Sequence, residues 1–363
     1  MSERSILILG GGSIGKRHVR NLIASGLSAE QLTVVDPRED RRREVVGLGI
    51  PDANVLAARD VALQRRTFDG AIIATPTSMH YDDALAVAQA DVHLMIEKPL
   101  GVDLNGYERL KAEVDRRGLF AFVAYCYRFN EGARKMRDLI RRGKEGIGEP
   151  YYARGEMCSY LPEWHPTEDY RHFYMAKKAL GGGTLLDQSH LFDLTRMFLG
   201  EIRGLYGIST RQSDLDIETD DFGEIVLDMA SGVRVSLHID LFSQPPRRHY
   251  HVMGSKGTLQ WDITTNTVTR LVQKDRQQAV IEEFIECDRD TNEMYDKNAM
   301  YMGELAYFLR GIEADGPIDG PTLLDGRAAM DVVQAVRESR GTRYVPLPDV
   351  HDDAHSASAR ARG

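Results

Sequence analysis

The sequence predicts an α/β fold in which a doubly wound parallel sheet is followed by an α+β domain with a large, mostly antiparallel, open-faced sheet. Through about residue 125, short apolar runs such as 6–9 and 32–35 alternate with longer amphipathic segments. Runs that are apolar throughout are typical of parallel strands covered by helices on both faces. From about residue 151, longer runs alternate between apolar and polar residues, which favours antiparallel strands with one open face. A chain of 363 residues has room for two domains.

The same patterns predict the remaining elements. In the first half we expect further strands at 71–74, 94–96 and 119–124, and helices at 14–25, 38–48, 79–90 and 105–117. In the second half we expect strands at 151–158, 224–229, 233–239, 250–253 and 258–261, with a hairpin turn at Ser231 and Gly232. Helices at 300–312 and 323–340 follow. We therefore predict domains at 1–124 and 125–348, a last helix that packs back on the first domain, and a mobile tail at 349–363.

Composition excludes several classes of protein. A net charge of −9 argues against a broad nucleic-acid surface, which needs clustered Lys and Arg. The three cysteines have no metal-ligand or disulfide spacing, so we predict no metal site and a reducing, cytoplasmic location. The first apolar run is too short for a signal peptide or a membrane span. A small molecule is the expected partner, and neither nucleic acid nor membrane is.

A glycine motif directly after the first strand predicts the cofactor. Gly10, Gly12 and Gly15 have GxGxxG spacing, with Ser13 and Ile14 opening the next helix. The first glycine permits a tight turn, the second lets the backbone approach a pyrophosphate, and the third allows close packing of helix and strand. The N-terminus of the helix favours the anion. The pattern predicts a Rossmann dinucleotide-binding domain.

An acid at the end of the second strand predicts which dinucleotide binds. Asp36 is positioned to accept hydrogen bonds from the adenosine ribose and to repel a 2′-phosphate. Arg38 is close enough to pair with such a phosphate instead, so NAD is predicted and NADP stays open. The alternative for Asp36 is an ordinary Asp-Pro turn.

Further motifs resemble those of the Gfo/Idh/MocA family of glucose-fructose oxidoreductase and inositol dehydrogenase. They are the glycine loop, Thr75-Pro76-Thr77 with His80, Glu97-Lys98-Pro99, and the glycines 181–183 leading to Asp187, His190 and Asp193. The resemblance covers nearly the whole chain. It implies a nicotinamide-dependent oxidoreductase with a sugar-like substrate, and it places Thr75, Pro76, Thr77, His80 and Glu97 at the cofactor.

Lys98 follows an apolar strand, so it is predicted at the carboxyl end of the parallel sheet, where ligands bind in such folds. A cation there can polarise a carbonyl or stabilise an alkoxide during hydride transfer. The resemblance implies that Lys98 is catalytic and contacts both cofactor and substrate. A solvated lysine at the end of a strand is the alternative.

Asp187 and His190 are three residues apart on a predicted helix, so we expect their side chains to share one face. An imidazole can move the hydroxyl proton that accompanies hydride transfer, and a carboxylate can orient it. The resemblance implies catalytic and substrate-binding roles for both. Many family members have three residues between this aspartate and histidine, whereas two are found here, which makes His190 the firmer assignment. The alternative is a helix-capping Asp and a buried structural His.

Other candidate substrate residues are less specific. Tyr125 and Arg128 end the last parallel strand, and Arg128 either binds a substrate hydroxyl, phosphate or carboxylate or pairs with an acid across the boundary between the domains. A polar and aromatic loop suits sugar binding, although its tryptophan could equally cover the core of the second sheet. The loop residues are Trp164, His165, Tyr170 and Arg171. The Thr75 loop is alternatively a Thr-Pro turn with a helix cap.

The leading hypothesis is reversible hydride transfer between nicotinamide and a secondary alcohol or ketone of a sugar, amino sugar, inositol or nucleotide sugar. The run GSIGKRH at 12–18 resembles family members of surface-polysaccharide pathways, which favours an amino or nucleotide sugar. Two alternatives remain: a glycoside hydrolase that oxidises the ring transiently, and a non-catalytic NAD-binding sensor. The open sheet, with Val233, Val235, Leu237 and Ile239, predicts a homodimer or homotetramer.

Overall fold

The computed structural model describes residues 4–164, 168–273, 279–286, 298–314 and 316–349, in two compact units. The first unit contains 4–130, 179–182 and, from the later part of the chain, 298–314 and 316–327. The second contains 131–164, 168–178, 183–273, 279–286 and 328–349. Each unit is therefore built from separate stretches of sequence. Of the predicted tail, only residue 349 lies within the described residues.

A six-stranded parallel sheet forms the centre of the first unit, as predicted. Its strands are β1 (Ile6–Leu9), β2 (Leu32–Val35), β3 (Val55–Leu56), β4 (Gly70–Ile73), β5 (His93–Glu97) and β6 (Ala121–Ala124). Their order in the sheet is β3-β2-β1-β4-β5-β6, so the chain reverses direction between β1 and β4. This is the doubly wound arrangement, in which ligands bind beyond the carboxyl ends of the strands. The two-residue β3 was too short for the sequence pattern to predict.

Helices connect these strands and cover the sheet. They are α1 (Ser13–Ala24), α2 (Glu39–Val46), α3 (Arg59–Arg65), α4 (His80–Gln89) and α5 (Tyr107–Arg117). Four match predicted helices to within two residues, and α3 was missed because its seven residues bury only Ala62. A later helix, α9 (Asn298–Glu313), supplies Leu305, Tyr307 and Phe308 to the same core as Ile6 and Phe122. The core of the first unit therefore needs a helix from beyond residue 297.

The second unit contains a nine-stranded sheet that is antiparallel except for one pair. Its strands are β7 (Pro150–Tyr160), β8 (Ile202–Thr210), β9 (Phe222–Met229), β10 (Arg234–Asp240), β11 (Phe242–Gly254), β12 (Gly257–Asp262), β13 (Thr267–Gln273), β14 (Ala279–Glu286) and β15 (Val345–Pro346). The order is β14-β13-β12-β11-β7-β10-β9-β8-β15. The parallel pair is β7 with β10. Gly232 turns between β9 and β10 at a φ of +87°, as predicted for the hairpin.

One face of this sheet is buried and the other is more exposed, as predicted, but the residues named for the open face are wrong. Val233, Val235, Leu237 and Ile239 are at most 5% exposed. Strand alternation directs this set to the core, and the other face of β10 carries polar residues such as His238. Any self-association through the open face must use different side chains.

The remaining helices are α6 (Glu131–Arg141), α7 (Thr184–Asp187), α8 (His190–Leu199) and α10 (Leu323–Ser339). α6 was not predicted, although five of its residues are buried. The division between the two units falls within α10, after Arg327. Among the described residues, no helix combines the length and apolar character needed to cross a bilayer.

Candidate active site

The glycine loop joins β1 to α1, and its geometry leaves room for a ligand against the backbone. Gly10 has a φ of +105°, and a Cβ there would lie 2.3 Å from the carbonyl oxygen of Ala74. A Cβ on Gly15 would lie 1.9 Å from the carbonyl oxygen of Gly10. Gly12 precedes the first turn of α1, whose N-terminus favours an anion. The loop therefore fits the pyrophosphate of a dinucleotide.

Asp36 follows β2 and contacts the glycine loop. Its carboxylate accepts hydrogen bonds from the backbone N–H of Gly11 at 2.8 Å and of Arg38 at 2.9 Å. The second bond is the turn that the sequence offered as an alternative, so turn formation and contact with the cofactor loop coexist. The guanidinium of Arg38 pairs with the exposed Asp40, and this hydrogen bond lowers the pKa of Asp40 to about 2.

Arg41 lies beside the glycine loop and was not among the residues predicted from the sequence. Its guanidinium lies 3.4 Å from the position that a Cβ on Gly12 would occupy. Arg41 lies in the first turn of α2. The sequence contained a signal for it, because a basic residue shortly after the acid that follows β2 can reach the phosphates of a dinucleotide at the glycine loop.

The loop after β4 is held by a buried histidine. Nε2 of His80 lies 2.9 Å from the carbonyl oxygen of Thr75, and Nδ1 lies 2.8 Å from that of Pro99. Both are hydrogen bonds only when the imidazole carries two protons, whereas burial lowers the pKa of His80. Thr75 donates to Asp83 at 2.8 Å, and Thr77 is buried. His80 thus links two loops at the carboxyl edge of the sheet, beside Pro76.

Lys98 lies directly after β5, at the carboxyl edge where the sequence placed it, and is half-buried. The preceding Glu97 is buried, and its Oε1 lies 2.7 Å from Nε2 of His18 on α1. The peptide bond between Lys98 and Pro99 is cis. The contact between Glu97 and His18 therefore links the residue before Lys98 to α1, the helix that begins at the glycine loop.

Tyr125 and Arg128 lie just beyond β6. Tyr125 is 0% exposed. Nη2 of Arg128 lies 2.7 Å from Oδ1 of Asp325 at the start of α10. Arg128 thus pairs with an acid, but the prediction that this pair spans the domain boundary is wrong, because both partners belong to the first unit.

The prediction that one helix carries Asp187 and His190 is wrong. α7 ends at Asp187, and α8 begins at His190. In the turn between them, Ser189 N–H bonds to Leu186 and Leu191 N–H bonds to Gln188, each three residues back. This tighter hydrogen-bonding pattern interrupts the α-helix, so helical spacing no longer fixes the relative direction of the two side chains.

Asp187 and His190 are nevertheless both buried, as is Asp193. The hydroxyl of Tyr174 donates to Oδ1 of Asp187 at 2.7 Å, and Nε2 of Gln188 donates to Oδ2 at 2.9 Å. Two donors hold the carboxylate in one orientation. A carboxylate and an imidazole at neighbouring helix ends suit proton transfer.

A second aspartate, Asp220, supports α7 and was not predicted. Its Oδ2 accepts from the N–H of Leu185 at 2.7 Å, and burial raises the pKa of Asp220. A Cβ on Gly183, which has a φ of +114°, would lie 2.3 Å from Oδ1 of Asp220. The last of the three glycines is required here because the aspartate approaches the backbone so closely.

The side chains of the candidate sugar-binding loop already have partners within the protein. Nε1 of Trp164 donates to Ser159 at 3.0 Å, and its ring packs against a small apolar cluster that contains Leu161 and whose buried members lie outside the strands of the sheet. The hydroxyl of Tyr170 accepts from the N–H of Asp216 at 3.2 Å. The exposed Arg171 makes a two-pronged ion pair with Asp169, which lowers the pKa of Asp169 to about 2. His165 lies outside the described residues.

The sequence predicts no metal site. Among the described residues, however, two groups of side chains place possible metal-ligand atoms within 4.8 Å of one another. One joins Cys158, His238 and Asp240, and the other joins His18, Glu97 and Glu304. Their members are far apart in sequence, so ligand spacing could not reveal them.

Two family profiles match the chain. The profile described as "Oxidoreductase family, NAD-binding Rossmann fold" matches residues 4–125, and that of the GFO/IDH/MocA C-terminal domain matches residues 133–260. Together they cover most of the chain. The resemblance inferred from the motifs is thereby confirmed.

One named relative matches over nearly the full length, and another matches over about half of it. Myo-inositol 2-dehydrogenase of Thermotoga maritima is 26% identical over 360 residues, which cover 94% of this chain and 98% of the relative. The NAD-dependent scyllo-inositol 2-dehydrogenase of Bacillus subtilis is 30% identical over 203 residues, 55% of each chain.

Solved structures share the fold. Levoglucosan dehydrogenase in complex with NADH has a TM-score of 0.80 at 17% identity, covering 95% of this chain and 99% of that one. GenD2 from gentamicin A biosynthesis, in complex with NAD, has a TM-score of 0.78 at 21% identity, covering 96% and 98%. With the family profiles matched in both halves, the chain is a member of the GFO/IDH/MocA family and an NAD(P)-dependent oxidoreductase.

Proposed function

We propose that the enzyme transfers a hydride between NAD and the secondary alcohol or ketone carbon of a sugar-like ring: a sugar, amino sugar, inositol or nucleotide sugar. One observation carries the proposal. Lys98 stands at the carboxyl edge of β5, in the same parallel sheet whose β1 leads into the glycine loop. The names of the relatives, which include inositol and levoglucosan dehydrogenases, support a ring with several hydroxyl groups.

Lys98 would stabilise negative charge on the reacting oxygen of the substrate. Bound NAD would supply the hydride acceptor at the carboxyl edge. As the substrate hydroxyl loses its proton, negative charge develops on its oxygen, and a half-buried ammonium stabilises that charge more strongly than water does. In the opposite direction the same ammonium polarises the ketone.

His190 would accept the hydroxyl proton, and Asp187 would orient the imidazole or exchange the proton with it. The assignment is supported by the burial of both groups and by the donors from Tyr174 and Gln188 that fix the carboxylate. An imidazole titrates near neutral pH, so it can take up and release a proton under ordinary conditions.

NAD is the proposed cofactor in preference to NADP. The buried Asp36 carboxylate lies at the glycine loop, where it would bind the ribose hydroxyls and repel a 2′-phosphate. Arg38 is engaged with Asp40. The loop of Thr75, Pro76, Thr77 and His80 would border the ribose and nicotinamide, and Glu97 would hold Lys98.

Substrate contacts would come from the aromatic and basic side chains that the sequence singled out. We retain Tyr125, Arg128, Trp164, Tyr170 and Arg171 as candidates. Because Arg128 and Trp164 already bond to Asp325 and Ser159, substrate contact would require them to exchange partners.

A homodimer or homotetramer through the open face of the second sheet is also proposed. Tyr206 and Val226 are cross-strand partners on β8 and β9 with 51% and 42% exposure. The ring of Tyr344 lies 5.4 Å from that of Tyr206 and extends this apolar strip. Sedimentation should give a multimer for the wild type and a monomer for the double variant Tyr206→Glu, Val226→Glu. A monomeric wild type at micromolar concentration would contradict the proposal.

A cytoplasmic location stays a prediction.

A substrate panel tests the proposed reaction. Sugars, inositols and nucleotide sugars are incubated with NAD or NADP, and NADH formation is followed by absorbance. Stoichiometric NADH with one class of ring, lost in both Lys98→Met and His190→Gln, is the expected result. Cleavage of a glycoside without net NADH would favour the hydrolase, and unchanged activity in both variants would refute the assigned roles.

A further inference from the structure

Glu304 is a glutamate inside the core of the first unit. It lies on α9 beside Leu305, and its exposed fraction is 0%. Within the described part of the chain, neither carboxyl oxygen has a hydrogen-bond partner, and no cation forms an ion pair with it. An isolated ionised carboxylate is so unfavourable in such surroundings that a buried acid normally takes up a proton instead.

The nearest titratable groups come from two other elements of the same unit. The imidazole of His18 on α1 and the carboxylates of Glu97 and Glu304 offer atoms that all lie within 4.8 Å of one another. Arg17 stacks its guanidinium over the ring of Tyr301, 4.6 Å from the ring centre. Among the titratable and charged groups of this region, Glu97, His18 and Cys126 interact with or lie close to Glu304, Lys98 and Tyr301 interact with Cys126, and Arg17 interacts with Tyr301.

Two carboxyl groups this close and this well buried cannot both be ionised without strong repulsion. Glu97 has a partner, because Nε2 of His18 lies 2.7 Å from its Oε1. Glu304 has none among the described residues. The proton therefore belongs on Glu304, and burial together with the charge of Glu97 raises the pKa of Glu304 well above its usual 4.5.

We propose that Glu304 is a protonated carboxylic acid at neutral pH, and that its neutrality keeps Glu97, and with it the adjacent Lys98, in place. Glu304 is thus a positioning residue that acts through Glu97. An ionised Glu304 would repel Glu97 and displace the residue that follows it. The consequence for Lys98 rests on the proposed function, whereas the protonation state does not.

Infrared spectroscopy tests the protonation state directly. The wild type at pH 7 should show the C=O band of a protonated carboxyl group, absent in Glu304→Gln and retained in Glu313→Gln, an exposed glutamate on the same helix. Absence of the band from the wild type would overturn the proposal. So would one equivalent of a divalent metal in the purified protein, because an imidazole and two carboxylates also suit an ion.

Stability against pH gives a second test. The folded state binds more protons than the unfolded state between pH 4.5 and the raised pKa of Glu304, so wild-type stability falls as pH rises through that window. Relative to Glu304→Gln, the unfolding equilibrium constant of the wild type should rise by up to about tenfold per pH unit. A constant ratio would mean that Glu304 is ionised, and would refute the proposal.

Kinetics separate positioning from mere packing. Glu304→Gln, a neutral isostere of the protonated acid, should keep kcat within about threefold. Its pH profile should lack the fall in kcat at alkaline pH that ionisation of Glu304 causes in the wild type. Glu304→Ala should lower kcat about 10–100-fold and leave the Kd for NADH within about twofold, because a displaced catalytic group costs rate more than binding. An equal loss of kcat in both variants would contradict positioning. If neither variant folds, or no substrate is found, the wild-type infrared band still decides the protonation state.

Discussion

The two units hold their candidate functional residues in different ways. In the first unit, buried polar groups join neighbouring turns: Asp36 bonds to Gly11, and His80 links the loops of Thr75 and Pro99. In the second unit, the loop before α7 is held partly by bonds to distant residues, such as that of Thr219 to the carbonyl of Met175, whereas its exposed Arg171 pairs with an aspartate two residues away.

The glycine loop would bind the cofactor, which is the same whatever the substrate. The loop before α7 would bind the substrate, which differs from one enzyme to another. The pyrophosphate of a dinucleotide needs a fixed backbone to bind against, and the glycine loop is fixed by bonds between residues distant in sequence. An exposed side chain of the substrate loop that pairs locally, as Arg171 does, can change without disturbing the sheet. The following predictions test this contrast, from the largest expected effect to the smallest.

Lys98→Met should lower kcat about 100–1,000-fold, because it removes the cation that stabilises developing charge on the substrate oxygen. The Kd for NADH should change only a few-fold, since the glycine loop is untouched. Steady-state kinetics and a fluorescence titration with NADH measure the two effects. Lys177→Met removes an exposed lysine paired with Glu218 and serves as the matched control. A kcat within tenfold of the wild type would break the contrast.

Gly15→Ala should weaken NADH binding about 100-fold, because the new Cβ would collide with the carbonyl oxygen of Gly10 and deform the loop. Overpacking of this kind also costs about 1–3 kcal/mol of stability. NADH titration and thermal unfolding are the measurements. Gly316→Ala, where a Cβ would meet nothing within 4 Å, should leave both unchanged. Normal binding in Gly15→Ala would show that this loop does not hold the cofactor.

His238→Gln tests whether the second unit also contains a long-range polar network. Hydrogen bonds to Asp240, Cys158 and Glu224 raise the pKa of His238 to about 11. The folded state therefore keeps the proton above pH 6.5, so the stabilisation is complete below pH 6.5 and declines as pH rises toward 11. The wild type should be more stable by about 1–2 kcal/mol at pH 6, a figure reduced for partial exposure, and by less at pH 9. Denaturant unfolding at both values measures it, and a pH-independent difference would exclude a charged imidazole.

Arg171→Ala should have the smallest effect. The side chain is exposed and its ion pair with Asp169 is local, so stability should change by less than about 0.5 kcal/mol. KM for the substrate found in the panel should rise by less than about threefold. Arg59→Ala, which removes a longer-range pair with Asp83, is the comparison. Arg171 is proposed as a substrate contact of small weight, so a tenfold rise in KM would make it a main substrate ligand and contradict this prediction.

The parts predictable from sequence depend on local conformation. The glycine loop, the acid after β2 and the lysine after β5 follow from strand ends and turn geometry, and all lie where expected. The helix through Asp187 and His190 failed because a tight turn at Gln188 and Ser189 has no distinctive residue pattern.

Contacts between segments that are distant in sequence could not be predicted from the sequence pattern. His18 and Glu97 are 79 residues apart. One signal existed: Glu304 occupies the apolar stripe of α9, with Met300 one turn before it and Phe308 one turn after. A charged residue on a buried stripe indicates a paired or neutralised group. The wrong assignment of Val235 and its neighbours to the open face arose because alternation shows which residues share a face, but not which face is covered.

The contribution of α9 to the first core affects how the protein is made. During synthesis, Phe122 and its sheet emerge long before Tyr307 and Phe308, which complete their packing. Translation must therefore pass residue 308 before the nucleotide-binding unit closes its interior. A ribosome stalled near residue 130 would present a sheet with an uncovered aromatic surface, a natural target for chaperones. For the same reason, an expression fragment ending there should aggregate, whereas a fusion that restores the α9 segment should remain in solution.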